Sequence, residues 1–503
     1  MRTLSSPRRL AIAASVWTAA LAIAWIFEPG PSSADPGPPS RAAVETTPAG
    51  SLDAGRARQV VDALASDIDD LGGKVSASVV SVADGNELAS HDATVAMNPA
   101  SNAKLVTAAG ALHFLGTEHR FGTGLFGKVD DGRVKELTLR GRGDPSLTTA
   151  DLRDLARQLE VAGATEVERI VVDQSFFEGS FVPPAFEQQP NEWAAFRAPT
   201  AAVSLERNTV TVWVRPATEE KASATVFVDP PGFVEIEGSI RTGARDSAEK
   251  IIFDLEPRGD HLAAKVRGSV PLSSKPVPVT RRVDDPRTLA GYALRAVLRE
   301  QGVKVGDSVE ARATTEKNAL AVRSSPALGE LLPRLGKDSD NFTAEMLLLA
   351  IGSEKEKKPA ADAGVRALTD FLKERGALDA GTVVKNGSGL FDANRISASS
   401  MTKVLTWAAK EPAIGPEYVS HLAIGGVDGT LRSRLKKWGE RRAIRAKTGT
   451  LADVVALSGF VLDERGQPVV AFSFLTSGVK GKTGKAREAI DKAASALATA
   501  VWK

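Results

Sequence analysis

Apolar positions fall into three textures along the chain. Over residues 53–71 they recur at helical spacing, residues 74–84 then alternate, Gly85-Asn86 supplies a hairpin turn, and residues 87–91 return as a second strand. Past Met97-Asn98-Pro99-Ala100, residues 101–112 are rich in Ala and Leu and begin just beyond a proline, the pattern of a buried helix. From about 121 to 322, short β-rich runs (136–139, 170–172, 209–214, 224–228, 250–255) alternate with Pro/Gly turns, and residues 150–163 and 286–302 read as helices. From Ser325 the chain turns helical (328–335, 341–351, 360–375, 399–410). It ends in three strands (442–450, 454–462, 468–476) and a helix over 486–501. Strands at both ends with helices between them imply one α/β domain, an antiparallel sheet flanked by helices, split by inserted smaller β-rich domains.

Composition narrows the chemistry. The 503 residues allow about three domains. With 64 Lys+Arg against 62 Asp+Glu, and cations spread along the chain, nucleic acid is not expected as a partner. The absence of cysteine removes disulfides, a thiol nucleophile and a lipid-modified N-terminal cysteine. Five scattered His without an H-E-x-x-H pair leave no metal or cofactor expected. Arg2, Arg8 and Arg9 precede an uncharged stretch over residues 10–27, and Ser32 and Ala34 are small residues ahead of Asp35. This reads as a signal peptide over residues 1–34, with residues 35–50 as a Pro/Ser/Ala-rich linker. If the segment stays uncleaved, residues 10–27 reach the lower limit of a membrane anchor. Either way the rest is exported, to the periplasm or the outer face of the cytoplasmic membrane.

Ser101 and Lys104 stand at i and i+3, about 5–6 Å apart at Cβ on one helical face. A buried ammonium loses its proton readily and can serve as base toward a serine hydroxyl. The same S-x-x-K string occurs at Ser400/Lys403, Ser433/Lys436 and Ser477/Lys480, where it reads as solvated surface. Ser339-Asp340-Asn341 is the only S-x-N, and helix capping is its bland alternative. K-T-G occurs twice. Lys447-Thr448-Gly449 lies in a strand, whereas Lys482-Thr483-Gly484 reads as a basic turn in the loop over residues 478–485.

Taken in order, Ser101-x-x-Lys104, Ser339-x-Asn341 and Lys447-Thr448-Gly449 resemble the triple signature of the penicillin-recognising serine acyl enzymes. The long interval between Ser101 and Ser339 narrows the resemblance to the low-molecular-mass class C penicillin-binding proteins, the D-alanyl-D-alanine carboxypeptidase/endopeptidase family of penicillin-binding protein 4 type. Gly141-Arg142-Gly143-Asp144-Pro145, Ala198-Pro199 with residues 205–208, residues 337–345, Gly387-Ser388-Gly389-Leu390 and Gly426-Val427-Asp428-Gly429-Thr430-Leu431 look like that family too.

The resemblance implies a β-lactamase/transpeptidase-like fold. Its peptidase domain would span 51–121 and 328–503, domain II 122–211 and 284–327, and domain III 212–283. It implies that Ser101 attacks the terminal D-Ala-D-Ala bond of a peptidoglycan stem peptide, with Lys104 taking its proton. Ser339 and Lys447 would relay a proton to the leaving amine, and Asn341 would hold the substrate's amide side chain. Backbone N–H groups of Ser101 and Thr450 would form the oxyanion hole; Lys447, Thr448 and Thr450 would bind the terminal carboxylate. β-Lactams would acylate the same serine, and the same chemistry would cut D-Ala cross-bridges. Glu192, Ser388, Leu390, Arg395 and Leu451 are the candidates for a stem-peptide pocket. Here the sequence departs from the family, because Phe391-Asp392 replaces the usual Ser then Arg and Glu192 stands where an Asp is expected; Arg395 is the alternative cation. Two rival functions share the motifs: an exported β-lactamase or esterase, and a catalytically quiet peptidoglycan-binding scaffold.

Overall fold

The computed structural model describes residues 52–189 and 192–503; the N-terminal leader, its apolar residues 10–27 and the linker lie outside the described residues. One six-stranded sheet organises the two ends of the chain. Its order is Ala423–Ile424, Ile444–Thr450, Val455–Leu462, Pro468–Ser477, Lys74–Ser81, Glu87–His91, and every pairing is antiparallel. Val455–Leu462 is buried along its whole length, as a central strand covered on both faces must be, and its Val, Leu, Phe and small residues suit that position. One face is covered by the helices Ala54–Asp69 and Thr483–Val501. The other carries Ala103–Leu115, Leu328–Gly336, Asn341–Ser353, Ala361–Glu374 and Ala398–Lys410. Ala103–Leu115 has no polar face: every residue from Ala103 to Leu112 is buried.

The insertion leaves and rejoins this body side by side. Gly122–Phe126 pairs antiparallel with Ala319–Ser324, Gly122 opposite Ser324, and Phe121 and Ser325 exchange hydrogen bonds of 2.9 Å. Both strands belong to a mixed seven-stranded sheet, which with two three-stranded sheets shares a separate apolar core running from Leu125 to Ala321. Ala198 of the insertion packs on Phe342, Met346 and Leu349, which brings the residues around 196 to the mouth of the site.

Three local expectations change. Ser101 does not lie in the α-helix but in a 3-10 turn, Ala100–Asn102, immediately ahead of it. Pro99 lacks the N–H that would extend the helix backwards, and Ala100 takes φ 46° with its N–H held by Asn98 Oδ1 at 2.9 Å. The second K-T-G is not a loop, since Thr483 and Gly484 open the last helix. Finally, Ser400 is buried rather than solvated, its Oγ 2.9 Å from Ser397 Oγ, while Lys403 reaches Asp379 at 3.3 Å.

Candidate active site

The three motifs meet at one point. Lys104 is fully buried, and its Nζ lies 3.1 Å from Ser101 Oγ, 2.7 Å from Asn341 Oδ1 and 2.7 Å from the Ser388 carbonyl. A charged ammonium donates to all three. A neutral amine keeps two N–H groups and gains a lone pair; it donates to Asn341 and Ser388 and accepts the Ser101 hydroxyl proton, so the same contacts serve both states. Burial pulls the Lys104 pKa down to about 7, against the opposing charges of Glu345 and Asp340.

Across the cleft, Lys447 Nζ donates to Ser339 Oγ and to the Thr448 carbonyl, both at 2.8 Å. Burial first and the charge of Lys104 second hold its pKa well below the ordinary lysine value. Thr448 Oγ1 donates to Thr430 Oγ1 at 2.9 Å, while Thr450 is exposed at the end of the strand. Within Ser339-Asp340-Asn341 the labour is divided. Asp340 is the helix cap, accepting from Thr343 N and Oγ1 at 3.1 and 2.6 Å. Ser339, at φ 59°, and Asn341 are thereby left to face the two lysines. Both ends of the Asn341 amide are used, Oδ1 by Lys104 and one Nδ2 hydrogen by the Phe196 carbonyl of the insertion at 3.0 Å.

Two contributors lie outside the three motifs. Glu345 is 2% exposed and accepts from Gly387 N at 3.1 Å and Ser388 N at 2.8 Å. It thus fixes the Gly387-Ser388 segment, whose Ser388 carbonyl holds Lys104, and burial pushes its own pKa up against those hydrogen bonds. Its signal in the sequence is a lone acid inside the apolar run Phe342–Leu349. Thr430 is the other: it lies in the family-like stretch over residues 426–431, and its hydroxyl contact with Thr448 gives it a place in the site.

The candidate pocket residues separate. Arg395 and Leu451 line a groove of about 610 Å³ with Asn98, Phe391 and Asp392. Arg395 pairs with Asp392 at 2.7 Å. Ser388 lies beneath Lys104 instead, its Oγ accepting from Leu390 N at 3.2 Å. Glu192 is exposed, is not among the groove's lining residues, and accepts from Ala194 N at 3.0 Å. The insertion contributes Gln188 and Gln189 to this groove, and its Arg197 donates to the Phe186 carbonyl and sits 5.5 Å from the centroid of the Phe391 ring. Among the described residues no cluster of His, Asp and Glu is arranged to hold a metal ion.

Comparison with known proteins agrees with this geometry. The sequence matches the D-Ala-D-Ala carboxypeptidase 3 (S13) family over residues 57–500. It is 33% identical over 447 residues to the D-alanyl-D-alanine carboxypeptidase of Actinomadura sp. (strain R39), covering 84% of this chain and 81% of that protein. The D-alanyl-D-alanine carboxypeptidase DacB of Haemophilus influenzae is 26% identical over 423 residues, 79% of this chain and 85% of that one. The crystal structure of penicillin binding protein 4 (dacB) from Haemophilus influenzae shares the fold, with a TM-score of 0.71 at 24% identity over 88% of this chain and 99% of that one. A further structure of that protein, complexed with a β-lactam, gives a TM-score of 0.67 at 23% identity with the same coverage. The chain therefore belongs to the D-Ala-D-Ala carboxypeptidase 3 (S13) family and is a serine-type D-Ala-D-Ala carboxypeptidase.

Proposed function

We propose that this carboxypeptidase is exported, acts on peptidoglycan stem peptides through a Ser101 acyl-enzyme, cuts D-Ala cross-bridges by the same chemistry, and is inhibited by β-lactams. The observation that carries the reading is the fully buried Lys104 amine 3.1 Å from Ser101 Oγ, with the Ser339–Lys447 pair beside it. Lys104, with a neutral fraction near pH 7 because burial lowers its pKa to about 7, takes the Ser101 proton as Oγ bonds to the scissile carbonyl carbon. The resulting oxyanion is held by the backbone N–H groups of Ser101 and Thr450; one such donor is worth about 10²–10³ in rate. Collapse breaks the C–N bond as the Ser339–Lys447 pair hands a proton to the leaving D-alanine amine and is reprotonated by Lys104, which returns to its neutral form. Water then attacks the ester, giving its proton back through Lys104, and frees Ser101. Lys447, Thr448 and Thr450 are suited to the substrate's terminal carboxylate, one cation beside two hydroxyls. The β-lactam complex of the Haemophilus influenzae protein supports β-lactam binding by this shared fold.

Fluorescent penicillin and a D-Ala-D-Ala pentapeptide test the core of the reading. Stable labelling and released D-alanine are expected, with both lost in Ser101→Ala. Labelling that persists in Ser101→Ala overturns the site, and a label that turns over within seconds makes the protein a β-lactamase instead. Fractionation of cells and mass measurement of the N-terminus test export: a mature chain beginning at Asp35 is expected, and an enzyme retained in the cytoplasm refutes it. Digestion of cross-linked cell wall, read as muropeptides, tests the endopeptidase activity.

A further inference from the structure

The even spread of cations expected from the sequence fails over one stretch. Seven basic residues lie between Arg432 and Arg445, against the single acid Glu440, in a chain whose net charge is +2; the remainder of the protein is net negative. The stretch joins the edge strand Ala423–Ile424 to Ile444–Thr450. Two of its cations are committed within the fold. Arg434 forms a two-pronged pair with Asp491 at 2.6 and 3.0 Å, and Arg445 is half-buried within the field of Asp428. Arg432, Lys436, Lys437, Arg441 and Arg442 are exposed, and none of them forms an ion pair among the described residues.

This face is built rather than frayed. Trp438 is buried with its indole N–H on Ser495 Oγ at 2.9 Å, and Arg441 lies over both Trp438 and Trp502, 5.9 and 5.2 Å from their centroids. Alongside runs an apolar-floored groove of about 640 Å³ between Ala54–Asp69 and Thr483–Val501, with Arg56, Lys437 and Lys503 among its lining residues. Arg56 is in the first turn of the first helix. The first helix therefore begins beside this same surface.

We propose that this basic face, from Arg432 to Arg442 with Arg56 and Lys503, docks on an anionic phospholipid surface. Unpaired cations on a fixed frame, beside tryptophan, match headgroup phosphates, and such cations act together within a Debye length of about 10 Å. The proposal rests on the export reading, but its test does not. Full-length protein is floated with phosphatidylcholine vesicles that contain or lack phosphatidylglycerol, at low and high salt, and the ratio between the two compositions is read. An apolar leader that enters both kinds of vesicle cancels from that ratio.

The expected result is a preference of about tenfold or more for anionic vesicles at low salt. High salt abolishes it, as does the triple change Lys436→Glu, Lys437→Glu, Arg442→Glu. Penicillin labelling of Ser101 checks that the triple variant is folded, and Lys436→Gln with Lys437→Gln, which adds no like charge, is expected to lose part of the preference. A wild-type ratio near one, or a preference that survives in the charge variants, overturns the proposal. Binding to soluble polyphosphate without any vesicle preference also overturns it and assigns the face to a phosphate-bearing wall polymer. Failure of export, seen by cell fractionation, leaves the vesicle ratio unaffected.

Discussion

Replacing Glu345 by Gln changes the charge beneath Lys104 while leaving Ser101, Lys104 and Asn341 in place. In the wild type, burial brings the Lys104 pKa from 10.5 to about 7, a differential cost on the order of 5 kcal/mol at about 1.4 kcal/mol per unit. The sign follows from protonation in the two states. Between about pH 7 and 10.5 the unfolded chain binds this proton and the folded one does not, so the penalty on stability is greatest below pH 7 and fades as pH rises through that window. If neutral Lys104 is the base, acylation by a fluorescent penicillin climbs about tenfold per pH unit below 7 and is level above it, leaving about one-hundredth of the plateau at pH 5. Glu345 raises the Lys104 pKa, so Glu345→Gln moves the acid limb to lower pH, by about one unit for a buried neighbouring charge. The plateau also falls, because a Gln oxygen can accept from only one of the Gly387 and Ser388 N–H groups, and a stranded buried donor costs about 1–3 kcal/mol. Glu345→Asp keeps the charge, so its midpoint stays while its plateau drops. Stopped-flow acylation between pH 5 and 9.5 reads all three profiles. A wild-type midpoint near 4 or near 10, or an acid limb that stays put or moves upward in Glu345→Gln, refutes the assignment.

Other outcomes follow from the same contacts. Gly389 takes φ +73°, and a Cβ there would overlap the Ala100 carbonyl oxygen. Gly389→Ala should therefore lose more than about 2 kcal/mol of stability and most acylation; Gly466→Ala, at φ +76° with nothing within 4 Å, should lose about 1 kcal/mol, and equal melting shifts for the two would refute the crowding. Thr430→Val removes the partner of Thr448 Oγ1 and should lower kcat/KM on the pentapeptide by about two- to tenfold. An equal loss on an ester without a terminal carboxylate would show that Thr430 does not act through carboxylate binding. Arg395→Ala should depress cross-bridge cutting more than pentapeptide trimming, read by muropeptide analysis, and equal depression would separate the groove from stem-peptide binding.

Much of the frame was legible because its signals are periodic. The strand Glu87–His91 and the helices beginning at Leu328 and Asn341 start where the apolar pattern starts, and the chemistry-bearing residues announced themselves as three ordered strings. What periodicity could not convey was set by contacts distant in sequence. The helix over Thr483–Val501 begins three residues earlier than its apolar stripe, since Val479 is pinned against the first strand region and its carbonyl accepts the Lys482 N–H at 2.8 Å. The long strands Val234–Gly243 and His261–Pro271 carry Glu, Arg, Gly and Ser on their exposed side and read as turns until they are paired. Phe196 matters through its carbonyl alone, and Glu345 through the N–H pair it accepts from as well as its charge near Lys104; a backbone group has no signature in sequence.

That contrast explains why glycines recur in two motifs that otherwise share nothing. The turn bearing Ser101 is strained, with Ala100 at φ 46°, a conformation that costs a non-glycine residue about 1–3 kcal/mol. It persists because it is clamped. Gly389 leaves room for the Ala100 carbonyl on one side; Gly449 does the same on the other, where a Cβ would stand 2.9 Å from the Pro99 carbonyl. Asn102 Nδ2 ties the far end to Ser458 Oγ at 2.7 Å, and Ser458 in turn meets Ser473 at 2.8 Å. The G-S-G-L and K-T-G strings therefore supply more than a carbonyl and an ammonium to the site. Their glycines let two backbones close on the nucleophile turn, which holds Ser101 Oγ within reach of Lys104 in a geometry the isolated segment would not adopt.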